Sequence, residues 1–200
     1  MSSCLRRRDQ AEPNHPDPSP PGWETSVGSG VETFQNPWEL SLLVNLVDRL
    51  RPEAILEVGD MYGGTLRHWL WGGATRVVVV DDQMRGADAW EAWAGVKDLC
   101  LLQGLSQDGT LVQQAAELGP YDFAFIDADH SYDAVLADWR NYGPMTSVIA
   151  FHDILPRPGY GVSRLWGELR SAPGARCVEI VHNETLPGNE GPCGIGVLWT

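Results

Sequence analysis

Two groups of ionisable residues sit where chemistry could be done: Asp127, Asp129 and His130, and then, 22 residues beyond His130, His152 and Asp153. Each group follows at once on a short apolar run, residues 123–126 and 148–151. Carboxylates and imidazoles bind cations and move protons, and a hydrophobic core has no use for either at the end of a strand. The segment between the runs has a helical pattern, and that is how neighbouring strands of a parallel sheet read. Ligands of such sheets lie in the crevice at the carboxyl ends of the strands. Both groups are therefore expected to converge on a ligand.

The elements that must hold them can be followed along the chain. From Pro37 the apolar residues Trp38, Leu42, Leu43, Leu46, Val47 and Leu50 keep helical spacing, with Asn36 as N-cap and Pro37 at the first helical position. Strands are then expected at 54–58, 76–81, 99–103, 123–127 and 147–151, alternating with helices at 63–71, 87–94, 110–118, 133–142 and 161–170. The last two strands, 177–182 and 194–199, have a Pro/Gly-rich loop and no helix between them, which implies antiparallel pairing. The expected fold is α/β: a doubly wound, mostly parallel seven-stranded sheet closed by a C-terminal antiparallel hairpin, of Rossmann-like type. Residues 1–22 are polar, proline-rich and without periodicity, and read as a disordered tail. Residues 23–200 read as one domain.

Composition narrows the function. A net charge of −13 and a pI near 4.6 argue against nucleic acid or an anionic membrane surface as partner, since both need basic surface. No apolar run approaches the roughly 20 residues that span a bilayer, and Arg6–Arg8 precede no apolar segment, so a cytoplasmic protein is expected. The four cysteines lack CxxC spacing, which argues against a zinc site or a disulfide framework; Cys100 and Cys177 read as small core residues.

The strand at 54–58 runs into Glu57-Val-Gly59-Asp-Met-Tyr-Gly63-Gly64. Glycines there let backbone turn tightly and approach a ligand at a helix N-terminus. Met61 replaces the middle glycine of the dinucleotide GxGxxG pattern. The strand at 76–81 ends in Asp81-Asp82, 24 residues after Glu57, where an acidic side chain can reach ribose hydroxyls. Gly104-Leu-Ser106 follows the third strand as a turn able to flank an adenine ring.

Taken in order with Asp127-x-Asp129-His130-Ser-Tyr and Phe151-His152-Asp153, these residues resemble a class I S-adenosylmethionine-dependent methyltransferase. The likeness is to the small-molecule O-methyltransferases grouped with the macrocin O-methyltransferase and cephalosporin-hydroxylase-like families, from about Gln35 to Leu198. It implies that Glu57, Gly59 and Gly63 border the methionine part of the cofactor, that Asp81 or Asp82 holds its ribose, and that Ser106 borders the adenine. It further implies a divalent cation, Mg²⁺ or Mn²⁺, at Asp127, His152 and Asp153, with Asp127 and His130 at the catalytic centre and His130 as general base. Two carboxylates plus water make a hard oxygen site, which can lower the pKa of an acceptor hydroxyl, and imidazole has a pKa suited to proton transfer. His152 departs from the family pattern, which carries an acidic residue there.

The expected function is therefore metal-assisted O-methylation of a small hydroxylated molecule. The alternatives are a metal-independent transferase, acting on oxygen or nitrogen, and a non-catalytic module that binds the cofactor or a partner protein. A dehydrogenase is disfavoured by the missing GxGxxG and by the terminal hairpin. With little chain left over for a substrate cap, the pocket is either open or completed by a second subunit in a homo-oligomer.

Overall fold

The computed structural model describes residues 35–83, 98–182 and 193–200, and the backbone of residues 3–5. The elements in chain order are β1 (Ser3–Leu5), α1 (Pro37–Leu50), β2 (Ala54–Val58), α2 (Leu66–Trp71), β3 (Arg76–Asp81), β4 (Asp98–Gln103), α3 (Gly109–Leu118), β5 (Phe123–Ile126), α4 (Tyr132–Tyr142), β6 (Val148–His152), α5 (Val162–Arg170), β7 (Arg176–Ile180) and β8 (Ile195–Trp199). One sheet runs β1-β4-β3-β2-β5-β6-β8-β7. The strands from β4 through β6 are parallel, while β8 is antiparallel to both β6 and β7. Seven of these strands form the expected sheet. The eighth, Ser3–Leu5, comes from the segment expected to be disordered and pairs antiparallel with the outer edge of β4. The helix expected at 87–94 lies outside the described residues.

Alternation along the buried strands explains why their sequences are apolar throughout. Leu56, Val58, Val78, Val80, Ala124, Ile126, Ile149 and Phe151 point to one face of the sheet, where they pack with Leu111, Val135, Leu165 and Trp166 of α3, α4 and α5. Ile55, Val77, Val79, Phe123, Phe125 and Ala150 point to the other, with Leu43 and Val47 of α1 and Leu66, Trp69 and Leu70 of α2. A strand covered on both sides has no solvated face to make polar. β7 shows the contrast: it is an edge strand, and Cys177, expected in the core, is exposed.

The helix ends follow local chemistry. Asn36 caps α1 by accepting from Trp38 N at 2.9 Å and Glu39 N at 3.4 Å, two of the donors a helix start leaves unpaired. The α2 helix begins at Leu66 and not at 63, because Met61 (φ 63°) and Gly63 (φ 83°) are left-handed and cannot continue a right-handed helix. Asp60 then caps it, accepting from Leu66 N at 3.3 Å. No helix among the described residues is long and apolar enough to cross a membrane.

The chain winds outward from β2 through β3 to β4, then returns to place β5 on the other side of β2. The strand order reverses between β2 and β5, the place where open α/β sheets bind ligands.

Candidate functional site

A cleft of about 640 Å³ opens at this reversal, walled by the loops after β2, β3, β4, β5 and β6, a volume within the usual range for small-molecule sites. The loop after β2 passes so close to the loop after β5 that a Cβ at Gly59 (φ 83°) would overlap the Asp127 carbonyl oxygen and come within 2.6 Å of Ala128 Cα. Gly59 is therefore required by the neighbouring backbone, and not only by the approach of a ligand. Gly59, Asp60, Met61, Gly64 and Thr65 line the cleft, whereas Glu57 and Gly63 do not. The Glu57 side chain points away from it, on the same side of the sheet as Ile55. Glu57 is 0% exposed, neither of its oxygens makes a hydrogen bond among the described residues, and burial raises its pKa well above the usual carboxylate range. Burial likewise brings Asp60 up to about 7.

Asp81 and Asp82 part company. Asp81 Oδ2 accepts from the backbone of Asp60 at 2.9 Å and Met61 at 3.0 Å, and its Oδ1 from Gln83 N at 2.9 Å. Asp81 thus ties the β2 turn to the β3 turn. Asp82 is exposed on the cleft wall. At the next turn Ser106 lines the cleft, its Oγ accepting from Gln107 Nε2 at 2.6 Å and its carbonyl from Tyr142 Oη at 2.6 Å. Gln107 also donates to the buried Asp138 at 2.9 Å, whose carboxyl is raised by burial to about 6.

The residues after β5 and β6 meet at the other end. His130 Nε2 lies 3.3 Å from Asp127 Oδ1 and 2.9 Å from Asp153 Oδ2, and His152 Nδ1 lies 3.4 Å and 3.3 Å from the same two oxygens. Two carboxylates and two imidazoles thus alternate round a small ring. Their charges support one another. Burial alone would raise Asp127, but the His152 charge and the His130 hydrogen bond bring it down to about 2. Asp153 is held far below the usual range, against its own burial, by His130 at 2.9 Å and by the His152 imidazole beside it at 3.3 Å. Burial would lower both histidines; the bonds to Asp127 and Asp153 instead raise His130 to about 9, and the Asp127 charge raises His152 to about 10.

All the expected catalytic and metal-ligating residues are therefore in one place. Asp129 accepts from Ser131 N at 2.7 Å, outside the ring. The sequence did not single out four further residues of this end. Gln35 Nε2 donates to Asp127 Oδ2 at 2.6 Å, and Arg157 Nη1 to Asp153 Oδ1 at 2.9 Å. The Tyr160 ring stacks on His130 at 4.4 Å, and Cys193 lines the cleft from the β7–β8 connection. Tyr132 turns instead to Glu168 at 2.7 Å. Of the four, only Tyr160 left a trace in sequence, in the close glycine pair 159 and 161. Gly161 N donates to the His130 carbonyl at 2.7 Å, and a Cβ there would overlap the Tyr132 backbone.

Comparison with known proteins gives the family and the fold. The family model described as Rhamnosyl O-methyltransferase/CmcI matches residues 23–152. A rhamnosyl O-methyltransferase of Mycobacterium bovis (strain BCG / Pasteur 1173P2) is 23% identical over 158 residues, covering 70% of this chain and 64% of the relative. The chain thus spans less than two thirds of the length of that curated relative. Among solved structures, the O-methyltransferase from Bacillus cereus in complex with SAH superposes with a TM-score of 0.64 at 21% identity, covering 82% of each chain. The O-methyltransferase TomG from Streptomyces achromogenes, in complex with SAM, gives 0.60 at 16%, covering 82% of this chain and 80% of the other. These two share the fold.

Proposed function

The chain belongs to the Rhamnosyl O-methyltransferase/CmcI family, and on that premise we propose that it transfers the methyl group of S-adenosylmethionine to a hydroxyl of a small molecule, assisted by a divalent cation. The observation that carries this reading is the ring of Asp127, His130, His152 and Asp153 at one end of a cleft of cofactor size. The cofactor fits the remaining walls. The turn from Gly59 to Thr65 offers backbone and the Asp60 carboxyl to the methionine end, Asp82 offers an exposed carboxylate to the ribose diol, and Leu105 to Gln107 border the adenine. Asp81 is occupied with backbone, so Asp82 is the ribose partner of the two.

Transfer breaks the sulfur–methyl bond and forms an oxygen–methyl bond in line, so holding donor and acceptor in near-attack geometry is the main task. Tyr160 and Arg157 wall the acceptor side. His130 is the group to take the hydroxyl proton, at Nε2. Asp127 and Asp153 keep that nitrogen protonated while they face it, and it can accept a proton only once their charge is engaged elsewhere. Both carboxylates, with His152, would hold the cation, which when bound supplies a Lewis acid for the acceptor oxygen. The oxygens suit Mg²⁺, but imidazole nitrogen in the set favours Mn²⁺ over Mg²⁺.

A second reading has its own support. Two imidazolium groups between two carboxylates balance the charge of the ring without any cation, as a metal-independent transferase would require. The experiment that separates them is incubation with methyl-labelled S-adenosylmethionine and a library of hydroxylated metabolites, headed by the rhamnosides that the curated relative's name suggests, with and without EDTA. Label should pass to an acceptor hydroxyl, and EDTA or Asp127→Ala should abolish transfer. Full turnover in EDTA would reject the cation. A folded protein with no calorimetric affinity for S-adenosylmethionine would reject the whole reading.

A further inference from the structure

Asp153 belongs to two sets of potential metal ligands, one with Asp127 and His130, the other with His152 and Cys193, and within each set the donor atoms lie inside 4.8 Å of one another. The second set is buried throughout. His152 is 5% exposed, and neither of its ring nitrogens makes a hydrogen bond among the described residues; Nδ1 only approaches Asp153 and Asp127 at 3.3 Å and 3.4 Å. A metal bond would give this buried imidazole a direct partner.

We propose that His152, Asp153 and Cys193 bind a borderline transition ion of the Zn²⁺ class, not Mg²⁺, with a water completing the site. This deepens the reading above by naming the kind of ion, and rests on that reading only for the ion's role. The chemistry of the donors decides it. Thiolate and imidazole select zinc-like ions, whereas Mg²⁺ demands six oxygens in near-ideal octahedral array. Spacing is compatible: ligand atoms on a tetrahedral zinc ion lie roughly 3.3–3.8 Å apart, given metal–ligand bonds of about 2.0–2.3 Å, the His152–Asp153 contact is 3.3 Å, and Cys193 Sγ lies within 4.8 Å of both. Arg157 occupies Asp153 Oδ1 and leaves Oδ2 toward the histidines; its Nη1 lies 3.8 Å from Cys193 Sγ. The thiol is also held in place by backbone, since Leu155 N donates to the Cys193 carbonyl at 3.0 Å and Ile154 N to that of Gly194 at 3.3 Å.

Chelator-stripped protein, without cofactor or acceptor, is titrated with Co²⁺ as an optical probe. Saturation at one ion per chain should bring up a near-ultraviolet thiolate-to-cobalt charge-transfer band. Cys193→Ser should abolish the band, and Cys193→Ser and His152→Ala should each weaken Co²⁺ at least about tenfold, a loss seen even for groups that merely orient ligands. Zn²⁺ should displace Co²⁺ at stoichiometric concentration and millimolar Mg²⁺ should not. Absence of the band in wild type, unchanged affinity in folded variants, or displacement by Mg²⁺ at concentrations equal to Co²⁺ would each overturn the proposal. Should a variant fail to fold by circular dichroism, the wild-type band and the competition decide alone. Methyl transfer supported by Mg²⁺ in a protein without the band would refute this inference and leave the transferase reading standing.

Discussion

Glu39 offers the sharpest test of how the site is held together. It lies in α1, 0% exposed, and its carboxylate accepts from His182 N at 2.8 Å and from Gly194 N at 3.0 Å. One side chain therefore grips the chain just after β7 and again just before β8. Replacing Glu39 with Ala leaves two backbone N–H groups without an acceptor, one of them deeply buried. The buried loss at Gly194 costs about 1–3 kcal/mol and the half-buried one at His182 less, so Glu39→Ala should lower the free energy of unfolding by about 1–4 kcal/mol, plus a contribution from the cavity. That is a large part of the roughly 5–15 kcal/mol holding a typical domain together. Glu39→Gln keeps one acceptor and turns an amide NH₂ on the other N–H, so it is destabilised as well, with no cavity. Urea unfolding with an unchanged m-value measures the loss, and hydrogen exchange at the Gly194 amide locates it. Since Gly194 follows Cys193, Co²⁺ affinity should fall too. A loss below about 1 kcal/mol in Glu39→Ala, or unchanged exchange at Gly194, would refute the reasoning.

Gly59→Ala should strain the left-handed turn by about 1–2 kcal/mol and push Asp127 aside, so thermal stability and Co²⁺ binding should fall together; a loss of cofactor affinity alone would show that Gly59 serves only the cofactor. Asp82→Ala should weaken S-adenosylmethionine roughly 10–150-fold, the worth of a hydrogen bond to a charged group, at unchanged melting temperature. Asp81→Ala should lower the melting temperature because it frees two turns; calorimetry and thermal melts that found the reverse assignment would refute it. In metal-free protein the ring contributes stability on both sides of neutrality. His130 and His152, raised from 6.5 to about 9 and about 10, stabilise fully below pH 6.5 and lose that contribution as pH climbs through 9 and 10. Asp127, lowered from 3.8 to about 2, stabilises fully above pH 3.8 and loses it as pH falls through 2. A melting temperature flat between pH 6.5 and 10 in stripped protein would contradict the histidine half.

What could be read from the sequence was set by short-range physics. Val77–Val80 and Phe123–Ile126 announce strands because they are buried on both faces, and Asp127, His152 and Asp153 announce a site because each directly ends such a strand. Asn36-Pro37 marks a helix start through its own hydrogen bonds. Glu57 misled because it sits in the right loop sequence, but alternation puts it with Ile55, on the α2 side and out of the cleft. Gln35, Arg157 and Cys193 could not be found, since each reaches the ring from a connection whose course depends on distant packing: Glu39 on Gly194, or Gly161 on His130. The start of α2 was missed because Met61 adopts a left-handed turn that nothing in its side chain foretells.

The position of β8 between β6 and β7, although it follows β7 in the chain, makes one edge of the sheet depend on the last strand. β7 joins the sheet only through β8, and Glu39 holds the chain at both His182 N and Gly194 N, so the outer edge of the sheet and the residue that carries Cys193 toward Asp153 stand or fall together. Loosening of the last strand would therefore release β7 and the Cys193 wall of the cleft at once, while β2 and β5 keep their own pairing.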